Sequence, residues 1–317
     1  MKRIFICVLL VVSSLVLLAC SNQTDTATDS PNVSERVINI GVMPDVESIP
    51  FLIAQKNGYF EQEGVKVNIE HFTSAKDRDS ALQSGKLDGV ITDVVAVLFA
   101  NEGGINLRII AKNEGNVSLM GGKDAGINAV AGLKGKDIGL STNTIMEYTL
   151  DTMLKAAGME YNEVNKIAIP PLPTRLEMLQ GGKVAAAILP EPMAGMAIRN
   201  GATVLNSTEQ MDNKAGAIAF TARSITDNPE EIKAVFRAYD LAVEYLQQGL
   251  TEEDIDFIIE VQRFPADIKD SLQLPDFNKA EPVREDIFND VVKWMQDKEL
   301  IKGSYEYKSV VDETILR

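Results

Sequence analysis

Residues 38–69 read INIGVMPDVESIPFLIAQKNGYFEQEGVKVNI, and this stretch decides the fold of the chain. Its pattern predicts a strand, a polar turn, an amphipathic helix and a second strand. The turn at residues 44–48 (PDVES) stands where the first strand passes into the first helix. In open α/β sheets, ligands bind in the crevice beyond the carboxyl ends of the strands. We therefore expect this turn to form one wall of a ligand cleft.

The alternation of strand and helix continues along the chain. The first unit is predicted to have strands at 37–42, 65–72, 87–92 and 106–111, with helices at 50–62, 76–84 and 93–101. After a Gly-rich turn, a second unit has predicted strands at 137–140, 166–169, 184–189 and 203–206, with helices at 144–157, 175–180 and 192–199. Such alternation predicts mainly parallel sheets with right-handed crossovers. The fold class is therefore α/β, in two lobes.

The end of the chain is predicted to return to the first lobe. Residues 215–222 (AGAIAFTA) read as another apolar strand, and helical periodicity follows at 229–248, 252–261 and 283–298. We expect these helices to cover the first lobe. The predicted lobes are residues 36–118 plus 210–317 and residues 119–209, with a ligand cleft where the chain crosses twice between them.

Composition limits the classes of partner. The 317 residues carry a formal net charge of −15, with 45% hydrophobic and 24% charged residues. These fractions are typical of a globular protein with ample core. A polyanion repels phosphate backbones, so nucleic acid is not an expected partner.

The N-terminus predicts export. Lys2 and Arg3 precede an apolar run at 4–18 that is shorter than the ~20 residues of a membrane-spanning helix. Residues 17–20 (LLAC) resemble a lipobox, which implies a lipoprotein signal peptide at 1–19, cleavage before Cys20 and diacylglycerol on its sulfur. An ordinary secretory signal is the alternative. The polar residues 20–35 read as a flexible tether to the cell membrane, on its extracytoplasmic face.

Cysteine and histidine usage argues against chemistry in the mature protein. Cys7 and Cys20 are the only cysteines, and His71 is the only histidine. Removal of the signal peptide and lipidation of Cys20 would leave no free thiol for a disulfide, a metal or a nucleophile. We predict no catalytic residue, no metal site and no cofactor.

Four segments resemble a known family. They are residues 41–67 (GVMPDVESIPFLIAQKNGYFEQEGVKV), 84–93 (SGKLDGVITD), 133–150 (LKGKDIGLSTNTIMEYTL) and 184–197 (VAAAILPEPMAGMA). Their order resembles that of the periplasmic-binding-protein-like solute-binding proteins of the nitrate, sulfonate, taurine and thiamine-precursor type. The resemblance implies a type II periplasmic-binding-protein fold, capture of a small molecule by hinge closure, and delivery to an ABC permease with its ATPase. We expect the protein to be a monomer.

Candidate ligand-binding residues follow the predicted strands of the first lobe. Asp45, Glu47 and Ser48 form the first turn, Ser74 begins the next helix, and Thr92 and Asp93 follow the third strand. Each has a structural alternative, because Asp, Ser and Thr also form turns and cap helices. Asp93 is expected to cap its helix whether or not it touches a ligand.

The second lobe offers a matching set. Thr142, Asn143 and Thr144 open its long helix, whose free N–H groups suit an acceptor or anionic group. The resemblance places a comparable loop against the ligand. Glu191 follows the strand at 184–189 within a Glu-Pro pair, which has a structural alternative in Pro192 at the helix start. Arg175 is predicted to be a solvated helix start rather than a ligand contact.

The charges of these candidates favour a neutral or cationic ligand. The predicted cleft carries Asp45, Glu47, Asp93 and Glu191 but few basic residues. Buried carboxylates need a donor or cation opposite them. A donor-rich molecule such as an aminopyrimidine-like vitamin precursor therefore fits better than nitrate or a sulfonate, which remain the alternative.

Two other functional classes remain open. Pyrimidine-forming and menaquinone-pathway enzymes use related two-lobed scaffolds, so fold alone does not separate binding from catalysis. A surface sensor or adhesin could also use this scaffold. The export signal and the absence of a nucleophile or metal set favour a binding protein over a cytoplasmic enzyme.

Overall fold

The structure is a computed structural model that describes residues 35–265, 268–269, 272 and 274–317. The predicted signal peptide 1–19, Cys20 and nearly all of the predicted tether lie outside the described residues. The described residues belong to one compact unit.

The first sheet has the strand order β2-β1-β3-β10-β4. Its strands are β1 (Val37–Val42), β2 (Lys66–His71), β3 (Gly89–Asp93), β4 (Leu107–Ala111) and β10 (Gly216–Thr221). Strand β1 pairs in parallel with β2 and β3, and β10 runs antiparallel to β3 and β4. With its helices, this sheet forms the first lobe.

The second sheet repeats this plan as β7-β6-β8-β5-β9. Its strands are β5 (Val117–Gly121), β6 (Asp137–Leu140), β7 (Asn165–Ala168), β8 (Ala186–Pro190) and β9 (Thr203–Ser207). Strand β5 is the antiparallel member, between β8 and β9. Each antiparallel strand thus begins directly after the chain has crossed from one sheet to the other, at residues 112–116 and 208–215.

Helices flank both sheets. In the first lobe they are α1 (Ile49–Lys56), α2 (Tyr59–Gln62), α3 (Ala75–Gln83), α4 (Val94–Glu102), α8 (Ala222–Asp227), α9 (Pro229–Leu246), α10 (Glu252–Gln262), α11 (Glu285–Asp297) and α12 (Tyr307–Val310). In the second lobe they are α5 (Ile145–Ala156), α6 (Leu172–Gln180) and α7 (Met193–Arg199). The two-lobed α/β class predicted from the sequence is confirmed.

Local sequence explains most of these bounds. Strand β1 has the predicted bounds, and its side chains Ile38, Ile40 and Val42 are fully buried between the helical layers. The predicted helix at 50–62 divides into α1 and α2 because Gly58, at φ +71°, adopts a left-handed conformation that suits glycine. Asp93 is the N-cap of α4, as predicted, since its Oδ1 accepts the N–H of Ala96 at 2.8 Å.

Among the described strands, β5 is the one that the pattern does not predict, and the short helices α8 and α12 were not predicted either. The residues of β5, VSLMG, are all buried, and they follow the polar residues 112–116. A five-residue apolar run without alternation is ambiguous by periodicity, and a Gly-Gly pair at its end suggests a turn. Only its position between β8 and β9 makes it a strand.

Candidate functional site

A cavity of about 330 Å³ lies between the two lobes, at the carboxyl ends of strands from both sheets. Met43, Asp45 and Glu47 follow β1, and Thr92 and Asp93 end β3. From the second lobe, residues that follow β6, β7 and β8 complete the walls: Ser141, Thr142, Pro170 and Pro190. This is the crevice in which open α/β sheets bind ligands.

Most of the candidate residues from the sequence line this cavity. They are Asp45, Glu47, Ser74, Thr92, Asp93, Thr142 and Thr144. Three of them also cap helices, because Ser74, Asp93 and Thr144 accept the N–H groups of Asp77, Ala96 and Met146. The structural and ligand-facing roles are therefore compatible at these positions.

Ser48, Asn143 and Glu191 are not among the residues that line the cavity. Each serves the backbone around it instead. Asn143, at φ 56°, donates its N–H to Glu147, and Glu191 accepts the N–H of Gly195 in the first turn of α7. These local hydrogen bonds hold the backbone of the cavity walls in place, and the three side chains do not form part of the cavity surface.

The turn after β1 is supported from behind. The hydroxyl of Ser48 is fully buried and donates to the carbonyl of Asp45 at 3.3 Å. Gln262, at the end of α10, donates to that carbonyl at 2.8 Å and to the hydroxyl of Ser48. Nothing in the local sequence links residues 48 and 262, so this support was not predictable from pattern.

Three carboxyl groups form an acidic wall in the first lobe: Asp45, Glu47 and Asp93. Burial raises the pKa of Asp45 to about 7, against the opposing charge of Arg78. Burial likewise raises the pKa of Asp93 to about 6. Burial, followed by the charges of Asp45 and Asp93, raises the pKa of Glu47 well above its ordinary value. The wall therefore has an unmet demand for donors or positive charge.

Arg78 is the cation within this wall, and sequence reasoning missed it. Its side chain is 3% exposed, and its Nη1 and Nη2 donate to the Ile91 carbonyl at 2.7 Å and the Thr92 hydroxyl at 2.8 Å. Its Nε also donates to Asp79 at 2.9 Å. Arg78 stands one helical turn before the buried Leu82, which is the signal that places it on the inner face of α3.

Arg175 corrects a prediction. The sequence suggested a solvated helix start, but the side chain is fully buried under the second lobe's half of the cavity. It donates to the carbonyls of Ile169 (2.9 Å) and Ile188 (2.8 Å), to that of Pro170, and to the hydroxyl of Ser141. The prediction failed because the helix begins at Leu172, which turns residue 175 toward the sheet.

Arg78 and Arg175 occupy corresponding places in the two lobes. Each lies on the helix before the third parallel strand, and each donates from Nη1 to a carbonyl 13 residues further along the chain. A glycine in the neighbouring strand makes room for each stem, since a Cβ on Gly41 or Gly139 would approach the Cγ of that arginine to 3.2 or 3.4 Å. Arg175 therefore repeats in the second lobe the position and the carbonyl contact that Arg78 has in the first.

Two residues that line the cavity each have one buried side-chain oxygen without a hydrogen-bond partner within the described chain. These oxygens are Oδ1 of Asp45, in the first lobe, and Oγ1 of Thr149, on α5 in the second. Asp45 is 8% exposed and Thr149 is 3% exposed. Buried polar atoms in native proteins are nearly always paired, so these two oxygens are exceptions that need a hydrogen-bond donor or acceptor from elsewhere.

The rest of the cavity is largely apolar, with methionine and aliphatic side chains at Met43, Ile145, Met146 and Leu172. The described residues that line it include no histidine, cysteine or aromatic side chain. No group of three or more potential metal ligands was found in the described part of the chain. The arrangement suits recognition of a small molecule by shape and hydrogen bonding.

Comparison with known proteins agrees with this architecture. A family model described as NMT1/THI5 like matches residues 45–249. An ABC transporter periplasmic binding protein of Brachyspira hyodysenteriae is 25% identical over 276 residues, which cover 76% of this chain and 80% of that protein. A formylaminopyrimidine-binding protein of Halalkalibacterium halodurans is 25% identical over 154 residues, which cover 47% of this chain and 46% of that protein.

A solved structure shows the same fold. The alkanesulfonate-binding protein SsuA of Xanthomonas axonopodis pv. citri, bound to MOPS, is 16% identical to this chain and has a TM-score of 0.73. The alignment covers 87% of this chain and 98% of that one. At this identity the likeness concerns the fold alone.

Proposed function

This chain belongs to the NMT1/THI5 like family, and we propose that it is an extracytoplasmic solute-binding protein of an ABC importer. In this proposal it captures a small polar molecule between its lobes and passes it to a permease that works with an ATPase. It performs no chemistry on that molecule. Support comes from the two-lobed fold and from the relative in Brachyspira hyodysenteriae, which is named as an ABC transporter periplasmic binding protein.

The observation that carries the proposal is the acidic wall of Asp45, Glu47 and Asp93 around an unpartnered Asp45 oxygen. Ligand N–H groups would supply the missing donors, and Thr149 would bind from the opposite lobe. We therefore propose a neutral or cationic, donor-rich ligand of the pyrimidine or thiamine-precursor kind. The formylaminopyrimidine-binding relative supports this ligand class.

An anionic ligand fits the cleft less well. Arg175 uses its donors on carbonyls and on Ser141, and Arg78 is shared among Ile91, Thr92 and Asp79. Lys214 pairs with Glu114 and Glu209. Lys76 is the remaining basic residue among the described lining residues, so a sulfonate or nitrate would meet the acidic wall with one lysine as its main available cation.

A thermal-shift screen at pH 8 tests the ligand class. We expect aminopyrimidines, formylaminopyrimidine among them, to raise the melting temperature by about 5 °C at a hundredfold excess over Kd, since such binding stabilises by about 2.7 kcal/mol. Taurine and nitrate are expected to cause no shift. A shift with taurine or nitrate and none with any pyrimidine would overturn the proposed ligand class.

We also propose that the mature protein is a lipid-anchored monomer on the extracytoplasmic face of the cell membrane, with the lobes at residues 36–118 plus 210–317 and 119–209. In the described part of the chain, none of the helices is long and apolar enough to cross a bilayer. The anchor in this proposal is the diacylglycerol on Cys20, which follows the signal-like residues 1–19.

Replacement of Cys20 tests the anchor. The Cys20→Ala variant should lose labelling by a radioactive fatty acid and move from the membrane fraction to the soluble fraction, because one thioether carries the attachment. Cys7→Ala is the matched control, since that residue lies within the proposed signal peptide and should leave labelling unchanged. Equal labelling of Cys20→Ala and the wild type would contradict lipidation at this residue.

A further inference from the structure

A second contact between the lobes lies outside the cavity, where α5 of the second lobe meets α11 of the first. Tyr148 on α5 is 3% exposed and belongs to the hydrophobic core of the first lobe. Its ring contacts that of Trp294 on α11 edge to face, with centroids 5.6 Å apart. Trp294 is the only tryptophan of the chain, and it packs, partly buried, against the same core.

Ion pairs surround these two rings. Lys298, next after α11, lies 2.5 Å from Oε1 of Glu147 and 3.4 Å from Oδ2 of Asp151, both on α5. The indole N–H of Trp294 donates to the same Asp151 oxygen at 3.0 Å. Lys166, on β7, pairs with both carboxylates at 2.8 and 2.5 Å. Two carboxylates and two ammonium groups therefore balance within one half-buried cluster.

Helix geometry explains why these residues meet. Residues 147, 148 and 151 share one face of α5, and residues 294 and 298 are one turn apart along α11. The carboxylates of Glu147 and Asp151 are only 6% and 5% exposed. Because Lys166 belongs to the second lobe, Lys298 and Trp294 are the residues of the described first lobe that connect to these carboxylates.

The cluster also touches a wall of the cavity. Oε1 of Glu147 accepts hydrogen bonds from Lys166 and Lys298, while its Oε2 accepts the N–H of Asn143 at 2.6 Å. Asn143 lies between Thr142 and Thr144, which line the cavity. Separation of α5 from α11 would therefore remove a lysine from the carboxylate that holds this loop.

We propose that the contact of Glu147, Tyr148 and Asp151 with Trp294 and Lys298 is an interlobe latch that holds the cleft closed. Lys298 and Trp294 act as positioning residues that set ligand retention without touching the ligand. The role of the latch in ligand retention rests on the proposed function, because only a binding protein needs to retain a ligand. Its effect on lobe separation does not depend on any ligand.

Small-angle X-ray scattering of the ligand-free protein tests the latch. We expect Lys298→Ala to raise the radius of gyration by about 1 Å over the roughly 19 Å of a compact chain of this size. Asp151→Asn, which keeps the side-chain volume, should cause a similar increase. Lys293→Ala is the matched control, because Lys293 on α11 pairs with the exposed Asp297 of the same helix and should leave the radius unchanged.

The outcomes separate the latch from the binding function. An increase in both latch variants, with wild-type circular dichroism and melting temperature, supports the latch even if no pyrimidine binds. Identical radii in the wild type, both latch variants and the control would overturn it. A ligand-free wild type whose radius of gyration already equals that of Lys298→Ala would overturn it as well, because the cluster would then not keep the lobes together.

Discussion

Replacement of Asp45 by asparagine is expected to stabilise the ligand-free protein at pH 8 and to abolish binding of the pyrimidine that the screen identifies. The carboxylate is nearly enclosed, one of its oxygens has no partner, and Glu47 and Asp93 lie in the same wall. Asparagine keeps the size and an acceptor for the turn but carries no charge. Residues that serve binding often reduce stability in this way.

The pH dependence of this effect follows from the pKa of Asp45. Burial raises that pKa from its ordinary value of 3.8 to about 7 in the folded protein. Between these values the folded state binds more protons than the unfolded state, so the free energy of unfolding falls as pH rises from about 4 to about 7. The full cost, at most about 4 kcal/mol for a shift of this size, is present above pH 7.

Urea denaturation at pH 5 and pH 8 measures the prediction. The free energy of unfolding of Asp45→Asn should exceed that of the wild type by roughly 2–4 kcal/mol at pH 8 and by less at pH 5. Asp227→Asn is the control, because Asp227 is an exposed carboxylate in an i,i+4 pair with Arg223. If Asp45→Asn is destabilised equally at both pH values, the carboxylate is needed for the turn itself.

The same carboxyl group predicts how affinity varies with pH. A ligand that donates to Asp45, or carries positive charge beside it, needs the carboxylate form. Affinity should therefore be constant above about pH 7 and fall by up to tenfold per pH unit below it. Isothermal titration across this range tests the trend, and an affinity that increases on acidification would favour an anionic ligand.

Replacement of Arg175 by alanine is expected to destabilise the fold by roughly 3–5 kcal/mol, because each buried acceptor that loses its donor costs about 1–3 kcal/mol. The side chain fills the space beside Gly139 and satisfies three carbonyls and the hydroxyl of Ser141. Alanine would leave those acceptors buried and unpaired, with a cavity in place of the guanidinium. Burial lowers the pKa of Arg175 to about 10, so the guanidinium is still charged at pH 8 and its desolvation offsets part of what these hydrogen bonds contribute.

Urea denaturation followed by circular dichroism measures this loss. Arg223→Ala is the matched control, since Arg223 is 89% exposed and pairs only with Asp227 among the ion pairs of the described residues. We expect that control to change stability by no more than about 0.5 kcal/mol. A comparable small change in Arg175→Ala would show that water replaces the guanidinium without cost.

Short-range patterns were enough for most elements of the fold. Strand β1 carries β-branched residues before a polar turn, and β6 was also predicted with its observed bounds. Asp93 was predicted as an N-cap because its side chain serves a neighbouring N–H group. These features depend on residues a few positions apart, which a sequence displays directly.

Only part of the candidate site could be predicted from such short-range patterns. Residues at the carboxyl ends of parallel strands gather at one edge, so Asp45, Glu47 and Asp93 could be placed in the cleft together. Side-chain direction within a turn was not predictable. Ser48 and Glu191 have the same polar chemistry as their neighbours, yet their hydrogen bonds go to local backbone.

By itself, the sequence determined the alternation of strands and helices, the two lobes and the family, because each depends on local periodicity and ordered motifs. Only the tertiary structure decided that β5 is a strand, that Arg78 and Arg175 are buried, and that Trp294 meets Tyr148 across the lobes. Those features join residues that are distant along the chain, and their energy comes from desolvation and pairing that exist only once the lobes have packed.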